Sequence, residues 1–332
     1  MTQSHAATAG RRRLLGAALL GAGAGLLPGR GAQAANFPSG PIRIVIGFGP
    51  GGLADLTARL VGEQLSQRLG QQVVVDNRPG AGGAVAARIG ATAEPDGQTL
   101  MILSTGNAIN KSLFRSLPYD PVADFTAISA MVSFDLLLLA GANSPLRSVQ
   151  DVLAAGRNGG RLAIGTISPG STQNLAAEWL RVAAGLDATV IPYRTTPEVL
   201  TAAQRGDVQI AFESYAAVRG ALEGGVLRAI ASTGERRSQL LPDLPTLREA
   251  GLADYAVTGW NALFAPARTP QPVIELLNGH LREILAMPAM RARLLALGVE
   301  PAPNTPAEMG ALLRHDIALW AQVIDRAAIE RQ

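Results

Sequence analysis

The chain has 332 residues, of which 48% are hydrophobic and 17% charged, with 29 Lys+Arg against 26 Asp+Glu and a net charge of +3. It contains no cysteine and only three histidines, His5, His280 and His315, which excludes thiol chemistry and leaves a zinc site without ligands. Residues 1–34 hold four arginines and no acid, so the remainder carries −1 and keeps no basic tract for nucleic acid or an anionic membrane surface.

The N-terminus reads as an export signal. Arg11-Arg12-Arg13 supplies a charged start, Leu14–Leu27 an apolar stretch too short to span a bilayer, and Ala32-Gln33-Ala34 an A-x-A cleavage site. The adjacent arginines resemble a twin-arginine signal, with Sec export left open. The expected mature chain starts near Ala35 and is exported. No later apolar run approaches the roughly 18 residues of a membrane helix.

Next comes Ile42–Ile46, a β-branched strand that runs into Gly47-Phe48-Gly49-Pro50-Gly51-Gly52 and then a helix, Leu53–Leu69. The first N–H groups of a helix lack intrahelical partners and sit at the positive end of its dipole, so this turn is suited to a carboxylate or phosphate. Further candidate strands are Gln72–Asp76, Thr99–Ser104, Leu136–Ala140, Leu162–Gly165, Ala188–Ile191, Val208–Phe212 and Leu227–Ala231, alternating with Ala/Leu-rich helical segments. That alternation predicts parallel strands joined by crossover helices, shared between two α/β lobes. The chain is expected to cross over near Phe134–Ser144 and return near Val257–Ala265. Lobe 1 is then 35–135 with 260–332, and lobe 2 is 136–259.

The second lobe carries a loop of the same kind as the first. Strand Leu162–Gly165 is followed by Thr166-Ile167-Ser168-Pro169-Gly170-Ser171-Thr172 and a helix over Gln173–Ala184, which again brings hydroxyls and N–H groups to the carboxyl end of a strand. Two such loops in two lobes point to a ligand held between them. Thr246-Leu247-Arg248-Glu249 reads as a capping box opening a short helix stopped by Gly251. Thr305-Pro306-Ala307-Glu308 reads as another, opening a long helix towards Ala328. Trp179, Trp260 and Trp320 are read as packing residues. His280 and His315 lie in helical stretches unsuited to a serine triad.

Gly47–Gly52 also matches G-x-G-x-x-G, and Asp76 ends the next strand, the spacing of a dinucleotide-binding unit. Pro50 removes an N–H where a pyrophosphate needs donors, and Lys111 is the only lysine, which disfavours a Tyr/Lys proton relay. Asp76 in Asp76-Asn77-Arg78-Pro79 is better placed to brace a turn. An exported NAD(P)-dependent oxidoreductase stays as one alternative, and a ligand-sensing module of a two-component system as another.

Several motifs in order resemble one family. Pro41-Ile42-Arg43-Ile44-Val45 with Pro50-Gly51-Gly52 and Asp55 opens the series, followed by Val73-Val74-Val75-Asp76-Asn77-Arg78-Pro79-Gly80-Ala81-Gly82-Gly83, Pro95-Asp96-Gly97 and Leu117-Pro118-Tyr119-Asp120-Pro121. Leu241-Pro242-Asp243-Leu244-Pro245-Thr246 and Glu249-Ala250-Gly251 complete it. The chain resembles the Bug (TctC-like) solute-binding proteins of tripartite tricarboxylate transport systems over nearly all of its mature length. The resemblance implies a two-lobed, periplasmic-binding-protein-like α/β fold of type II, a Venus flytrap with its ligand cleft between the lobes. It further implies a periplasmic monomer without catalytic activity, cofactor or metal, which captures a small mono- or dicarboxylate for the integral-membrane subunits of such a transporter.

Carried over position by position, the resemblance nominates Phe48, Gly51, Gly52, Leu53 and Asp55 from the first loop, with Ser104, Thr105 and Asn107 after the third strand. Across the cleft it nominates Thr166, Ser168, Gly170, Ser171, Thr172, Tyr193, Arg194 and Glu213. The chain departs from the family pattern at Gly47 and Gly49, where prolines are common, and at Asn174, where histidine is usual. Tyr193-Arg194-Thr195 replaces a frequent Tyr-Lys-Gly, and Glu213 stands for aspartate. Arg194 is a candidate bidentate clamp for a second carboxylate.

Overall fold

The structure is a computed structural model that describes residues 37–80, 83–157, 162–167 and 169–331, so the export-signal residues and Ser168 lie outside the described residues. In chain order the elements are β1 (Ile42–Ile46), α1 (Leu53–Leu69), β2 (Val73–Asn77), α2 (Ala84–Ala91), β3 (Thr99–Ser104), α3 (Thr105–Leu113), β4 (Phe125–Gly141) and α4 (Val149–Arg157). There follow β5 (Leu162–Ile167), α5 (Thr172–Ala183), β6 (Ala188–Tyr193), α6 (Thr196–Arg205), β7 (Ile210–Ser214), α7 (Tyr215–Glu223) and β8 (Leu227–Ser232). The chain ends with β9 (Thr258–Pro266), α8 (Gln271–Ala286), α9 (Pro288–Ala296), β10 (Glu300–Pro301) and α10 (Pro306–Arg326).

These elements form a two-lobed α/β fold around two sheets that share β4. The first sheet has the order β2-β1-β3-β9-β4-β10 and the second β6-β5-β7-β4-β8. In each, three parallel strands are followed by an antiparallel one. β1 shows why: Ile42, Ile44, Val45 and Ile46 are all fully buried, the continuous apolar run of a strand covered on both faces by crossover helices. The first half of β4 pairs with β9 as far as Asp135 opposite Thr258, and the second half pairs with β7 from Leu136 opposite Ser214.

The crossing between the sheets is therefore at Asp135–Leu136, and buried Thr233 ties it together. Its hydroxyl accepts from the Leu136 N–H (2.9 Å) and donates to the Val257 carbonyl (2.5 Å), while its own N–H donates to the Leu136 carbonyl (2.9 Å). The carboxyl ends of β3 and β7 both reach this crossing, Ser104 pairing with Asn261 and Ser214 with Leu136. β1 runs parallel to β3 and β5 parallel to β7, so the loops after all four strands lie around one cleft.

The long C-terminal helix α10 covers the other side of the junction. It packs on α3 and α5, with Trp320 edge-on to Trp179 of α5 (centroids 6.3 Å) and Trp179 tilted on Tyr255 (4.9 Å). These tryptophans pack as the sequence suggests. Among the described residues no helix is long and apolar enough to cross a membrane.

Three elements differ from expectation. β4 begins at Phe125, eleven residues before the predicted Leu136, because register shifts between Ala127 and Ser129 and between Ala130 and Val132 break the period-two pattern. β10 is a two-residue edge pairing that includes Pro301, too short to leave a signal. The capping box at Thr246 forms, with Glu249 N–H on Thr246 Oγ1 (3.0 Å) and Thr246 N–H on the Glu249 carboxylate (3.1 Å), but it opens a turn and no helix. The flanking backbone is drawn instead to Ser232, whose N–H and carbonyl bond Pro245 and Leu247.

Candidate functional site

The first loop follows β1 and leads into α1. Leu56 N–H closes the first helical bond, onto the Gly52 carbonyl, and no side chain caps this end. The N–H groups of Leu53, Ala54 and Asp55 thus keep no intrahelical partner. Gly51 holds φ +80°, a conformation L side chains rarely adopt, and the space around it and around Gly49 is open, so backbone donors are approachable. Gly47 has a packing reason instead: a Cβ there would lie 2.7 Å from the Gly83 Cα. Phe48 stands 43% exposed at the rim.

Asp55 braces this loop from beneath. The residue is 2% exposed and its carboxylate accepts from Gly51 N–H (2.9 Å), Asn77 Nδ2 (3.0 Å) and Arg59 Nε (3.0 Å). Burial alone would push its carboxyl up, but these hydrogen bonds and the Arg59 charge outweigh it and hold the group below the usual carboxylate range. Asp55 therefore binds the loop itself. Asn77 ties in further by donating to the Phe48 carbonyl (3.0 Å).

The loop after β3 is more closed. Ser104, Thr105 and Asn107 are all buried, at 7%, 2% and 4% exposure. Ser104 N–H donates to Asn107 Oδ1 (2.9 Å), Asn107 Nδ2 donates to Tyr119 Oη (2.9 Å), and Thr105 Oγ1 accepts from Trp260 N–H (3.0 Å). These side chains fix the start of α3 and join it to the return strand.

In the second lobe, Ser171 caps α5 by accepting from Asn174 N–H (3.1 Å). Asn174 in turn receives Gly170 N–H (3.2 Å) and donates to buried Thr166 Oγ1 (3.3 Å). The family's usual histidine position is thus a structural clasp here. Leu175 N–H closes the first helical bond to Ser171, which leaves Thr172 and Gln173 N–H without intrahelical partners. Gly170 packs against Leu113 of α3, so this loop meets the first lobe across the cleft.

Glu213, 1% exposed, joins three loops of the second lobe, accepting from Thr196 Oγ1 (2.6 Å), Ser214 N–H (2.7 Å) and Gln173 Nε2 (3.2 Å). No cation lies within ion-pair distance of it among the described residues. Tyr193 is half-buried against the α6–α7 core, and Arg194 is exposed, its N–H on Glu198 (3.1 Å) and its guanidinium in no ion pair among the described residues.

The sequence reading missed Asn77, Gln173 and Thr196 as parts of the site. Thr196 had a signal, since Thr195-Thr196-Pro197-Glu198 is itself a helix start. Asp76, the candidate ribose acid, is taken by Arg43 Nε (2.7 Å) and Arg78 Nε (2.9 Å). Burial would raise its carboxyl, yet these two guanidinium groups hold it low, as a brace of the β1–β2 pair. Among the described residues no group of three or more His, Asp or Glu is arranged to hold a metal ion.

The chain and its fold are matched in known proteins. BugT of Bordetella pertussis is 31% identical over 295 residues, covering 88% of this chain and 90% of that one. A solved structure described as R. palustris Rpa4515 with adipate is 31% identical with a TM-score of 0.76, covering 89% of this chain and 99% of that chain. MatC (Rpa3494) from Rhodopseudomonas palustris with bound malate is 31% identical with a TM-score of 0.71, covering 87% and 100%. Residues 57–329 match the model of the tripartite tricarboxylate transporter family receptor, TctC, and the chain belongs to that family of solute-binding proteins.

Proposed function

We propose that this protein captures a small mono- or dicarboxylate in the periplasm, between its two lobes, and hands it unchanged to the integral-membrane subunits of a tripartite tricarboxylate transporter. The observation that carries this reading is the uncapped start of α1, where three N–H groups stand without intrahelical partners at the carboxyl end of a buried strand. Thr172 and Gln173 N–H offer a second, smaller set of donors from the other lobe. Adipate and malate in the two related structures support a carboxylate as the ligand class. We take the ligand contacts to be the backbone of Gly52, Leu53 and the α1 start, the Ser171–Thr172 turn and, for a distal carboxylate, Arg194. We take the lobes to be 35–135 with 260–332 and 136–259, a reading supported at its first limit by the change of β4 partners between Asp135 and Leu136. The protein acts as a monomer, without cofactor or catalysis.

The test is native mass spectrometry of protein purified without refolding, followed by calorimetric titration with adipate, malate and the amide of each. A carboxylate should bind and its amide should not. Chemical conversion of the bound molecule, tight binding of NAD, or equal affinity for the amides would overturn the reading. Fractionation tests the compartment: folded protein retained in the cytoplasm with residues 1–34 intact would contradict export.

A further inference from the structure

The two lobes also meet along a polar seam that includes none of the residues nominated for the carboxylate cleft. On the first-lobe side stands the turn from α9 to β10, whose Leu294 and Val299 belong to the apolar core under β1, α1 and α8. On the second-lobe side stand α7 and the segment after β8: Val218 lies in the core shared with α6, and Leu241 and Leu244 pack against it. A third core runs through both lobes, from Ile109 of α3 to Leu175 of α5 and Trp320 of α10.

The seam is built from small, specific contacts. Gly298 holds φ +80°, and a Cβ there would lie 2.9 Å from the Ala216 Cα and 3.0 Å from its nitrogen, so glycine lets the α9–β10 turn approach the start of α7. Arg219 Nη1 of α7 donates to the Ala296 carbonyl (3.0 Å), while its Nε faces Glu223 (3.7 Å). Ala296 ends α9, so a cation from one lobe meets the negative end of a helix in the other, where carbonyls lack intrahelical partners. Glu300 Oε1 accepts from Ser238 Oγ (2.6 Å) and Gln239 N–H (2.8 Å), and Arg291 Nη2 donates to Gln239 Oε1 (3.4 Å).

These contacts, and not the shared core, are the ones that can part cheaply. Separating Ile109, Leu175 and Trp320 would expose apolar surface to water, whereas the seam's donors and acceptors can exchange each other for water. Water already has room there, because a cavity of about 600 Å³ is bordered by Tyr215, Ser238, Gln239, Gly298 and Glu300. The seam also adjoins the cleft floor. Ala216 follows Tyr215 and Ser214, and Ser214 N–H donates to Glu213 (2.7 Å), the residue that joins the second lobe's loops.

We propose that this seam is the latch between the lobes: it is made when they stand together and parts to admit or release the ligand, with Arg219, Ser238, Gln239, Gly298 and Glu300 as positioning residues. The proposal rests on the capture reading above and concerns how long the ligand is held. A contact present in only one lobe arrangement shifts the equilibrium towards that arrangement without touching the ligand.

The experiment measures uptake and release of radiolabelled adipate by the mature protein, in variants confirmed folded by circular dichroism. Arg219→Gln combined with Glu300→Ala should bind adipate about tenfold more weakly, with the loss in the release rate. The chain has no cysteine of its own, so Ser238→Cys with Glu300→Cys supplies its only thiols. Joining them with dibromobimane should slow both uptake and release at least about tenfold against the unjoined protein, an effect that a merely structural role would not produce. Unchanged exchange after joining, or unchanged or tighter adipate binding in the first variant, would overturn the latch. Wild-type protein that takes up neither adipate nor malate would count against the capture reading instead. The latch is then read without ligand, by small-angle scattering: the Arg219→Gln, Glu300→Ala protein should have a larger radius of gyration than the joined one, and equal radii would overturn it.

Discussion

The β1–α1 and β5–α5 loops each end a buried strand and start a helix, yet their side chains are used in opposite ways. In the first, the cap position is Gly52 and no side chain caps the helix; Asp55 of the first turn takes the Gly51 N–H, and Asn77 and Arg59 hold Asp55 and the loop from outside. In the second, Ser171 and Asn174 occupy the helix start themselves and close the loop on its own backbone. A helix end can bind a foreign anion only if its donors are left open, and only if something else holds the loop in shape meanwhile. The first loop meets both conditions, which is why we propose it, and not the second, as the anchor for a ligand carboxylate.

Gly51→Val attacks the anchor most directly. Its φ of +80° is costly for a β-branched residue, and the new side chain would enter the open space before the donors. The expected outcome is a folded protein whose carboxylate affinity drops by about a hundredfold or more, read by calorimetry after circular dichroism. Wild-type affinity in this variant would move the anchor elsewhere and break the comparison.

Asp55→Ala is expected to act next in size. It leaves Gly51 and Asn77 without their shared acceptor, at a cost of about 2 kcal/mol in stability and about tenfold in carboxylate affinity, measured by urea unfolding and by titration. The sign of the pH effect follows from the depressed carboxyl. Asp55 is ionised more readily in the folded protein than in the unfolded chain, so its contribution is complete above the unfolded value of 3.8 and fades as pH falls through the lower folded value. Hydrogen exchange should therefore loosen residues 48–56 below about pH 4 before it loosens 170–175, whose caps carry no titratable group. Simultaneous loosening would show that the two loops are braced alike.

How much of this was legible in the sequence depends on the range of the interactions. β1 and α1 were read to the residue, because Ile42–Ile46 and the helix after Gly52 are decided by local propensity and burial on both faces. The two-lobed plan was legible from the alternation of strand and helix. The first half of β4 was not, since its bulges scramble the apolar period and its partner β9 is more than a hundred residues away. At the site, sequence supplied the residue types but not their partners. Asp55 was nominated as a ligand contact, and the fold turns it inward onto Gly51; Glu213 was nominated likewise, and it collects Gln173, Thr196 and Ser214. Carboxylates beside helix starts serve ligand and loop equally well as far as spacing shows, and only the tertiary placement of the donors separates the roles.

Ser171→Ala is the smallest change and the sharpest test of the difference between the loops. The hydroxyl accepts from Asn174 N–H and lies 3.3 Å from the Ile167 carbonyl, to which it donates, so both of its functions are internal to the second lobe. Removing an N-cap serine costs about 1 kcal/mol of stability, and that loss should appear in full on urea unfolding. Binding should weaken only about two- to fivefold, because Thr172 and Gln173 N–H stay in place and the anchor in the first lobe is untouched. Had Ser171 been a direct ligand contact of the same standing as the α1 donors, truncation would cost affinity without costing stability. The ratio of the two losses therefore decides its role: stability down with affinity nearly kept identifies a cap, and affinity down with stability kept would make the second loop an equal partner in holding the carboxylate.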